Sequence, residues 1–214
     1  MSEHGGEHWP GEQVVEFQES PEEVGEDTGE EPAIPGEVQE PEPEQLAGHA
    51  PGALDIPDGV DLLEGSPQGS RKRIAIVLSR FNGDVTNRLL ESALAELELA
   101  GIEREHVTVM PVPGAFELPL GAMALAKTRR YVAIVALGCV IRGETAHFDY
   151  VAGEAASGLQ LAALETGVPV AFGVLTTENL DQAMARSDKG AEAVRTALEM
   201  ADLFVQLRAT AKAS

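Results

Sequence analysis

The sequence predicts an α/β protein, a flavodoxin-like three-layer α/β/α sandwich with a four-stranded parallel sheet. Two observations predict this class. Four short apolar runs alternate with stretches of helical period between about residues 73 and 208. The runs are apolar throughout, as is typical of parallel strands that helices cover on both faces. Right-handed crossovers between such strands place the helices in two outer layers.

The elements follow one another in strict alternation. Gly101 and Gly167 end the first and third helices, because glycine readily adopts the left-handed conformation found at helix C-termini. We expect residues 111–114, which hold two prolines, to end the second strand, and Gly138 to bound the third. The predicted strands are 74–78, 107–110, 131–137 and 170–175, and the predicted helices are 84–100, 117–128, 146–165, 178–185 and 189–208.

Residues 1–70 differ in composition from the rest of the chain. They hold 19 of the 36 acidic residues, none of the 15 lysines and arginines, 9 of the 13 prolines and 11 of the 22 glycines. Such a segment buries too little apolar surface to offset its ordering entropy. We therefore expect a disordered acidic Pro/Gly-rich extension over 1–70 and a folded domain over 71–214. Of the net charge of −21, the extension carries −19 and the domain −2, so nucleic acid is not an expected partner.

Several classes of protein are excluded at this stage. The longest apolar run, residues 132–141, is too short to span a bilayer, so we expect no membrane partner. The N-terminus lacks the pattern of a secretory signal, which favours the cytoplasm. The single cysteine, Cys139, excludes an intrachain disulfide and a cysteine-based metal cage, and we expect it to be a packed, inert thiol. We expect neither a metal site nor a nucleotide cofactor, since glycine-rich nucleotide motifs are absent.

The candidate site lies where the strands end, because open parallel sheets bind ligands outside their carboxyl edge. The segments expected there are 79–82, 113–117, 138–149 and 176–179. Gly143 and Thr145 precede a helix, whose free N–H groups favour an anion, and Thr145 is equally compatible with a simple N-cap. His147 is the one histidine placed at this rim, so we expect it to serve in acid/base chemistry.

Three of these segments, 113–119, 138–151 and 169–179, resemble the 6,7-dimethyl-8-ribityllumazine synthase family. The resemblance covers about residues 73–208, and the acidic extension has no counterpart in it. It implies condensation of 5-amino-6-(D-ribitylamino)uracil with 3,4-dihydroxy-2-butanone 4-phosphate, with release of phosphate and water and without metal or organic cofactor. It also implies a homopentamer with sites between subunits, and a 60-subunit icosahedral shell of twelve pentamers as a larger form.

The resemblance also implies roles for individual residues. Phe81 would stack on the pyrimidine, Phe172 would enter the neighbouring subunit's site, and His147 would transfer protons. The other implied substrate contacts are Asn82, Ala115, Phe116 and Glu117 to the ribityl chain, and the backbone of Cys139, Val140 and Ile141 to the uracil edge. The implied phosphate contacts are Glu144, Thr145, Arg186 and Lys189.

One departure from the family pattern bears on the phosphate contacts. The family has a longer Gly/Lys-containing loop after the arginine, whereas only three residues separate Arg186 from Gly190 here. Two other functions compete with the synthase on the sequence: an archaeal-type riboflavin synthase, and a non-catalytic shell protein that binds flavin or lumazine. The complete motif at residues 143–147 favours the synthase.

Overall fold

The computed structural model describes residues 55–69 and 72–213, and the predicted disorder of residues 1–54 lies outside this part. These described residues belong to one compact unit. Its strands are β1 Ile74–Ser79, β2 Val107–Val112, β3 Ala133–Ile141 and β4 Val170–Thr177. Its helices are α1 Gly83–Leu99, α2 Leu118–Lys127, α3 His147–Thr166, α4 Leu180–Met184 and α5 Lys189–Ala213, with 3-10 turns at Arg104–His106 and Ala115–Glu117.

The four strands form one parallel sheet in the order β2-β1-β3-β4, which confirms the predicted class. From β1 the chain passes to β2 on one side, and from β2 it crosses back over β1 to β3 on the other side, so the direction of the connections reverses. Such a reversal opens a crevice at the carboxyl ends of β1 and β3, the usual ligand position in flavodoxin-like sheets.

Two apolar cores lie on the two faces of the sheet. Alternate residues of β3 divide between them: Val135 and Leu137 enter the core with α1 and α5, whereas Ile134 and Ala136 enter the core with α2 and α3. All four side chains are fully buried. The double burial explains the continuously apolar strands, since side chains alternate between faces along a strand.

All four strands run further than predicted at their carboxyl ends, β1 by one residue, β2 and β4 by two and β3 by four. β2 continues through Pro111, which an edge strand tolerates because its outward N–H position needs no partner in the sheet. β3 continues through Gly138 to Ile141, and a Cβ on Gly138 would lie 2.9 Å from Leu118 Cδ1. The glycine therefore lets a helix approach the sheet closely instead of ending the strand.

The described end of the acidic extension, residues 55–69, contacts the domain. Ser66 N–H donates to Asp202 Oδ2 on α5 (3.1 Å), Gln206 Nε2–H donates to the Glu64 carbonyl (2.8 Å), and Gly69 N–H donates to the Ala100 carbonyl (2.9 Å). Hydrogen bonds to the Asp202 carboxylate, led by that from Gln206, lower its pKa. The chain thus enters β1 along the surface of α5.

Candidate active site

A cavity of about 570 Å³, called here the first cavity, opens at the carboxyl ends of β1 and β3. The loops after β1, β2 and β3 and the start of α3 surround it. Ten of the predicted site residues line it: Phe81, Asn82, Ala115, Phe116, Glu117, Cys139, Val140, Ile141, Thr145 and His147. The tertiary structure therefore gathers residues from four separate stretches of sequence around one space.

Asn82 ties together the two strands that border the crevice. Its backbone is left-handed (φ 58°, ψ 47°), a conformation that asparagine tolerates better than most residues. From this position its side-chain amide donates to the carbonyl of Cys139 at the end of β3 (2.9 Å). The neighbouring Phe81 donates its N–H to the Pro113 carbonyl after β2 (3.2 Å). The floor of the cavity is therefore cross-linked between the loops after β1 and β2 and the last part of β3.

Two phenyl rings stand at the mouth of the first cavity. The side chain of Phe81 is 70% exposed and that of Phe116 is 56% exposed, so both offer flat apolar surface to a ligand. The turn that carries Phe116 is held by a hydrogen bond from Gly114 N–H to Glu117 Oε2 (2.8 Å). This bond fixes the Glu117 carboxylate at the cavity wall, where it can accept hydrogen bonds from hydroxyl groups.

His147 is the first residue of α3, and the β3–α3 loop (residues 142–146) that precedes it is exposed. Of the two interpretations of Thr145, the simple N-cap is not observed: the N-cap is Ala146, and no side-chain cap hydrogen bond is formed at this described helix. The Thr145 hydroxyl instead accepts a long bond from His147 N–H (3.4 Å). N–H groups at the start of a helix are orphan donors suited to an anion. Glu144 lies in the same loop but is not among the residues that line the first cavity.

Cys139 lies in the wall of the first cavity but is 2% exposed, and burial raises the pKa of its thiol to about 11. A thiol with so high a pKa is protonated near neutral pH and is a poor nucleophile. This agrees with the expected packed, inert thiol.

Three predicted residues lie away from the first cavity of their own chain. Phe172, in the middle of β4, lines a second cavity of about 370 Å³ together with Lys189 of α5. The Lys189 ammonium is paired with the Glu192 carboxylate. Arg186 is exposed and donates to the Gln182 carbonyl (3.1 Å). None of the three is among the residues that line the first cavity.

The short connection after Arg186 is a compact turn, here called the α4–α5 turn (residues 185–188). Ser92 of α1 anchors it, since its hydroxyl donates to the Asp188 carbonyl (3.0 Å) and accepts from Ala191 N–H (2.9 Å). Gly190 lies against the backbone of Leu89, where a Cβ would overlap the carbonyl oxygen. The start of α5 is thus packed directly on α1.

The implied substrate contacts leave out five residues that also line the first cavity. Gly114, Gly143 and Phe148 lie in segments predicted at this rim, whereas Tyr150 and Val151 lie beyond them. Helical spacing could have found two of them, because Val151 follows His147 by one turn and Phe148 shares that face. Arg142 and its partners were missed as well, and their arrangement is described below.

One group of potential metal ligands occurs among the described residues. Glu103, Glu105 and His106 bring three ligand atoms within 4.8 Å of one another. They precede β2 and therefore lie at the amino end of the sheet, opposite the first cavity. Exposed acidic groups of this kind are common, and this one has no part in the candidate site.

Within residues 55–69 and 72–213, none of the helices is long and apolar enough for a membrane crossing.

Comparison with known proteins distinguishes the synthase from the riboflavin synthase and the non-catalytic shell protein. The family model described as 6,7-dimethyl-8-ribityllumazine synthase matches residues 71–205. The chain belongs to this family. It is 48% identical over 155 residues to the 6,7-dimethyl-8-ribityllumazine synthases of Yersinia pestis (strain Pestoides F) and Yersinia pseudotuberculosis serotype O:1b (strain IP 31758). Each match covers 70% of this chain and 99% of the relative.

Membership of the family confirms the expected activity. The chain is a transferase of riboflavin biosynthesis that condenses the ribitylaminouracil with the dihydroxybutanone phosphate to 6,7-dimethyl-8-ribityllumazine. The matched segment begins at residue 71, where the sequence predicts the folded domain to start.

Proposed function

We propose that the first cavity is the place where this chain joins its two substrates, with His147 transferring protons. The observation that carries the proposal is the convergence of ten predicted residues on one cavity at the β1–β3 crevice. Its volume of about 570 Å³ is within the range of small-molecule sites. The cavity is lined both by aromatic rings and by groups that form hydrogen bonds, as two polar substrates with one flat ring require.

The ribitylaminouracil is assigned to the side formed by β1 and β2. Phe81 would stack on its ring, and the backbone at 139–141 would bind the polar edge of that ring. The ribityl hydroxyls would lie along Asn82 and the 115–117 turn, where Glu117 accepts hydrogen bonds. The cross-linked floor supports this assignment, since it holds these groups in place before a ligand arrives.

The dihydroxybutanone phosphate is assigned to the other side, against the β3–α3 loop. Its phosphate would meet the N–H groups at the start of α3 and the Thr145 hydroxyl, with Glu144 in the same loop. The primary amine of the uracil then attacks the ketone and forms a Schiff base with loss of water, phosphate is eliminated, and the second amine attacks the remaining carbonyl to close the ring with loss of a second water. Each step moves a proton, and the exposed imidazole of His147 at the cavity wall is placed to donate and accept it.

A second copy of the chain would complete the site. Phe172, Arg186 and Lys189 lie outside the first cavity of their own chain, which supports sites between neighbouring copies. We assign the homopentamer implied by the family, with the 60-subunit icosahedral shell as its larger form. A shell would carry the −19 extension on every subunit, and like charges at close range repel. Native mass spectrometry of the full chain and of a variant lacking residues 1–54 measures both the assembly and the influence of the extension.

The substrates are polar metabolites and one is phosphorylated, so we assign the reaction to the cytoplasm. The test of activity mixes the purified full chain with both substrates and follows lumazine absorbance, with the phosphate-free ketone as a control. Product that depends on the phosphate is the expected result. Ligand binding without turnover would indicate a non-catalytic binding protein, and riboflavin formed from lumazine alone would indicate a riboflavin synthase.

A further inference from the structure

Arg142, at the end of β3, lies at the centre of a group of side chains from three elements. Its guanidinium Nε–H donates to Glu178 after β4, with N···O distances of 3.0 and 3.1 Å to the two carboxylate oxygens. Its Nη1 lies 3.2 Å from Asp149 Oδ1 on α3. The guanidinium carbon lies 4.1 Å from the ring centroid of Phe148. We call these four residues the Arg142 clamp.

The clamp closes the loop that leads into α3. Arg142 and Asp149 are the two ends of a segment that contains Thr145 and His147, and the ion pair joins them directly. Phe148 connects the Arg142 clamp to the first cavity, because its ring contacts the guanidinium and also lines that cavity. Arg142 itself is not among the residues that line that cavity.

Little else fixes this loop within the described part of the chain. Residues 142–146 are all exposed, and a Cβ on Gly143 would meet none of the described atoms within 4 Å. The backbone is held at the two ends of the loop, where Arg142 N–H donates to Thr177 (2.9 Å) and Asp149 N–H to Ala146 (3.1 Å). A loop with so few packing contacts depends on polar contacts for its shape.

We propose that Arg142 is a positioning residue: with Asp149, Glu178 and Phe148 it sets the geometry of the β3–α3 loop and thereby the phosphate subsite. The inference rests on the proposed function for the identity of the ligand, since the loop is assigned there to phosphate. Arginine suits this role because its planar fork binds two carboxylates and stacks on a ring at the same time, which lysine cannot do.

A direct role of Arg142 as phosphate ligand is the competing explanation, and it predicts the opposite sign for one variant. Both carboxylates already engage the guanidinium, and these contacts raise its pKa. If Arg142 were a ligand held back by Glu178, Glu178→Gln would release it and tighten phosphate binding. If the clamp acts through geometry, Glu178→Gln loosens the loop and weakens phosphate binding.

The experiment compares Arg142→Lys, Arg142→Met and Glu178→Gln with the unchanged full chain. Binding of inorganic phosphate is measured by calorimetry, and KM for each substrate and kcat are measured separately. We expect Arg142→Met to raise the phosphate Kd and the KM of the phosphate substrate roughly 10-fold, because small misplacements of a binding group are costly. Arg142→Lys and Glu178→Gln should shift both in the same direction by less, with KM for the ribitylaminouracil nearly unchanged.

A control variant, a stability measurement and a rescue experiment separate a positioning role from a general loss of stability. Arg104→Met also removes an arginine from an exposed ion pair, with Glu98 (3.6 Å), but at the amino end of the sheet. It should leave phosphate binding unchanged. Exposed ion pairs contribute little to stability, so no variant should lower Tm by more than about 4 °C. Added guanidinium ion should restore part of the phosphate affinity of Arg142→Met but not alter Arg104→Met.

Three results would overturn the positioning role. These are an unchanged phosphate Kd in Arg142→Met, tighter phosphate binding in Glu178→Gln, or equal increases in KM for the two substrates. A failure of the proposed function looks different. In that case the unchanged chain shows no phosphate-dependent turnover. The phosphate Kd of Arg142→Met then tests the positioning role by itself.

Discussion

The β3–α3 loop and the α4–α5 turn both lead into the start of a long helix, and the family resemblance assigns phosphate contacts to both. They differ in what holds them. The loop before α3 is exposed and is closed by the side chains of the Arg142 clamp. The turn before α5 is bonded to Ser92 and packed on the backbone of α1. The first is shaped by polar contacts and the second by close packing.

The two segments also differ in their relation to the first cavity. The β3–α3 loop belongs to the cavity of its own chain, since Gly143 and Thr145 line it. Arg186 in the α4–α5 turn is not among those lining residues, and the turn is held to α1 through the hydrogen bond from Ser92 to Asp188. The loop is therefore expected to be sensitive to changes of charge, and the turn to changes of volume.

The largest expected effect is on chemistry at the loop. His147→Gln removes the imidazole from the wall of the first cavity, and general acid/base catalysis typically contributes about 10²–10⁴ to the rate. We expect kcat to fall by that factor at neutral pH, with phosphate binding retained. Single-turnover kinetics measures the chemical step. The matched control is His106→Gln at the amino end of the sheet; a similar loss there, or a loss under tenfold at His147, contradicts the role.

The start of α5, directly after the α4–α5 turn, should respond most strongly to added volume. Gly190→Ala places a Cβ against the Leu89 carbonyl, and a backbone atom cannot move aside as a side chain can. Overpacking of this kind costs about 1–3 kcal/mol of unfolding free energy. Gly143→Ala in the loop, where a Cβ is well separated from the described atoms, should stay within about 0.5 kcal/mol. Urea denaturation followed by circular dichroism measures both, and equal losses would remove the contrast.

Arg186→Met tests whether the turn serves a neighbouring copy. We expect KM for the phosphate substrate to rise roughly 10-fold, the loss expected for one hydrogen bond to a charged group. Mixed oligomers, made by coexpression with His147→Gln, should regain activity, because a site can then take His147 from one copy and Arg186 from another. Absence of such complementation, with mixed assembly shown by native mass spectrometry, would place Arg186 outside the shared site.

The smallest effect is expected at Cys139. Burial raises the pKa of the thiol to about 11, so the thiolate is a minor species at pH 8. Alkylation by iodoacetamide in the native protein should therefore be slow at pH 8 and should accelerate as the pH approaches 11. Mass spectrometry of the intact chain measures the modified fraction. Rapid alkylation at pH 8, at the rate of the unfolded chain, would show that the thiol is accessible.

The site was partly predictable from the sequence. The crevice follows from parallel strands, so residues that come directly after β1, β2 and β3 had to meet at one rim. The Arg142 clamp was not predictable, because Glu178 is 36 residues from Arg142 and joins it only where β3 and β4 end side by side. The positions of Phe148 and Val151 were predictable in part. The helix period indicates that they share a face of α3, but not that this face lines the first cavity.

The sequence by itself determined the alternation of strands and helices, their approximate bounds and the family. Apolar runs, helix-ending glycines and the motif at 138–151 are local features, and local chemistry is enough to interpret them. Only the tertiary structure decided that β2 continues through Pro111 and β3 through Gly138, that Phe172 faces away from its own cavity, and what closes the loop before α3. These depend on strand position in the sheet and on contacts between distant residues, which are fixed only once the layers pack.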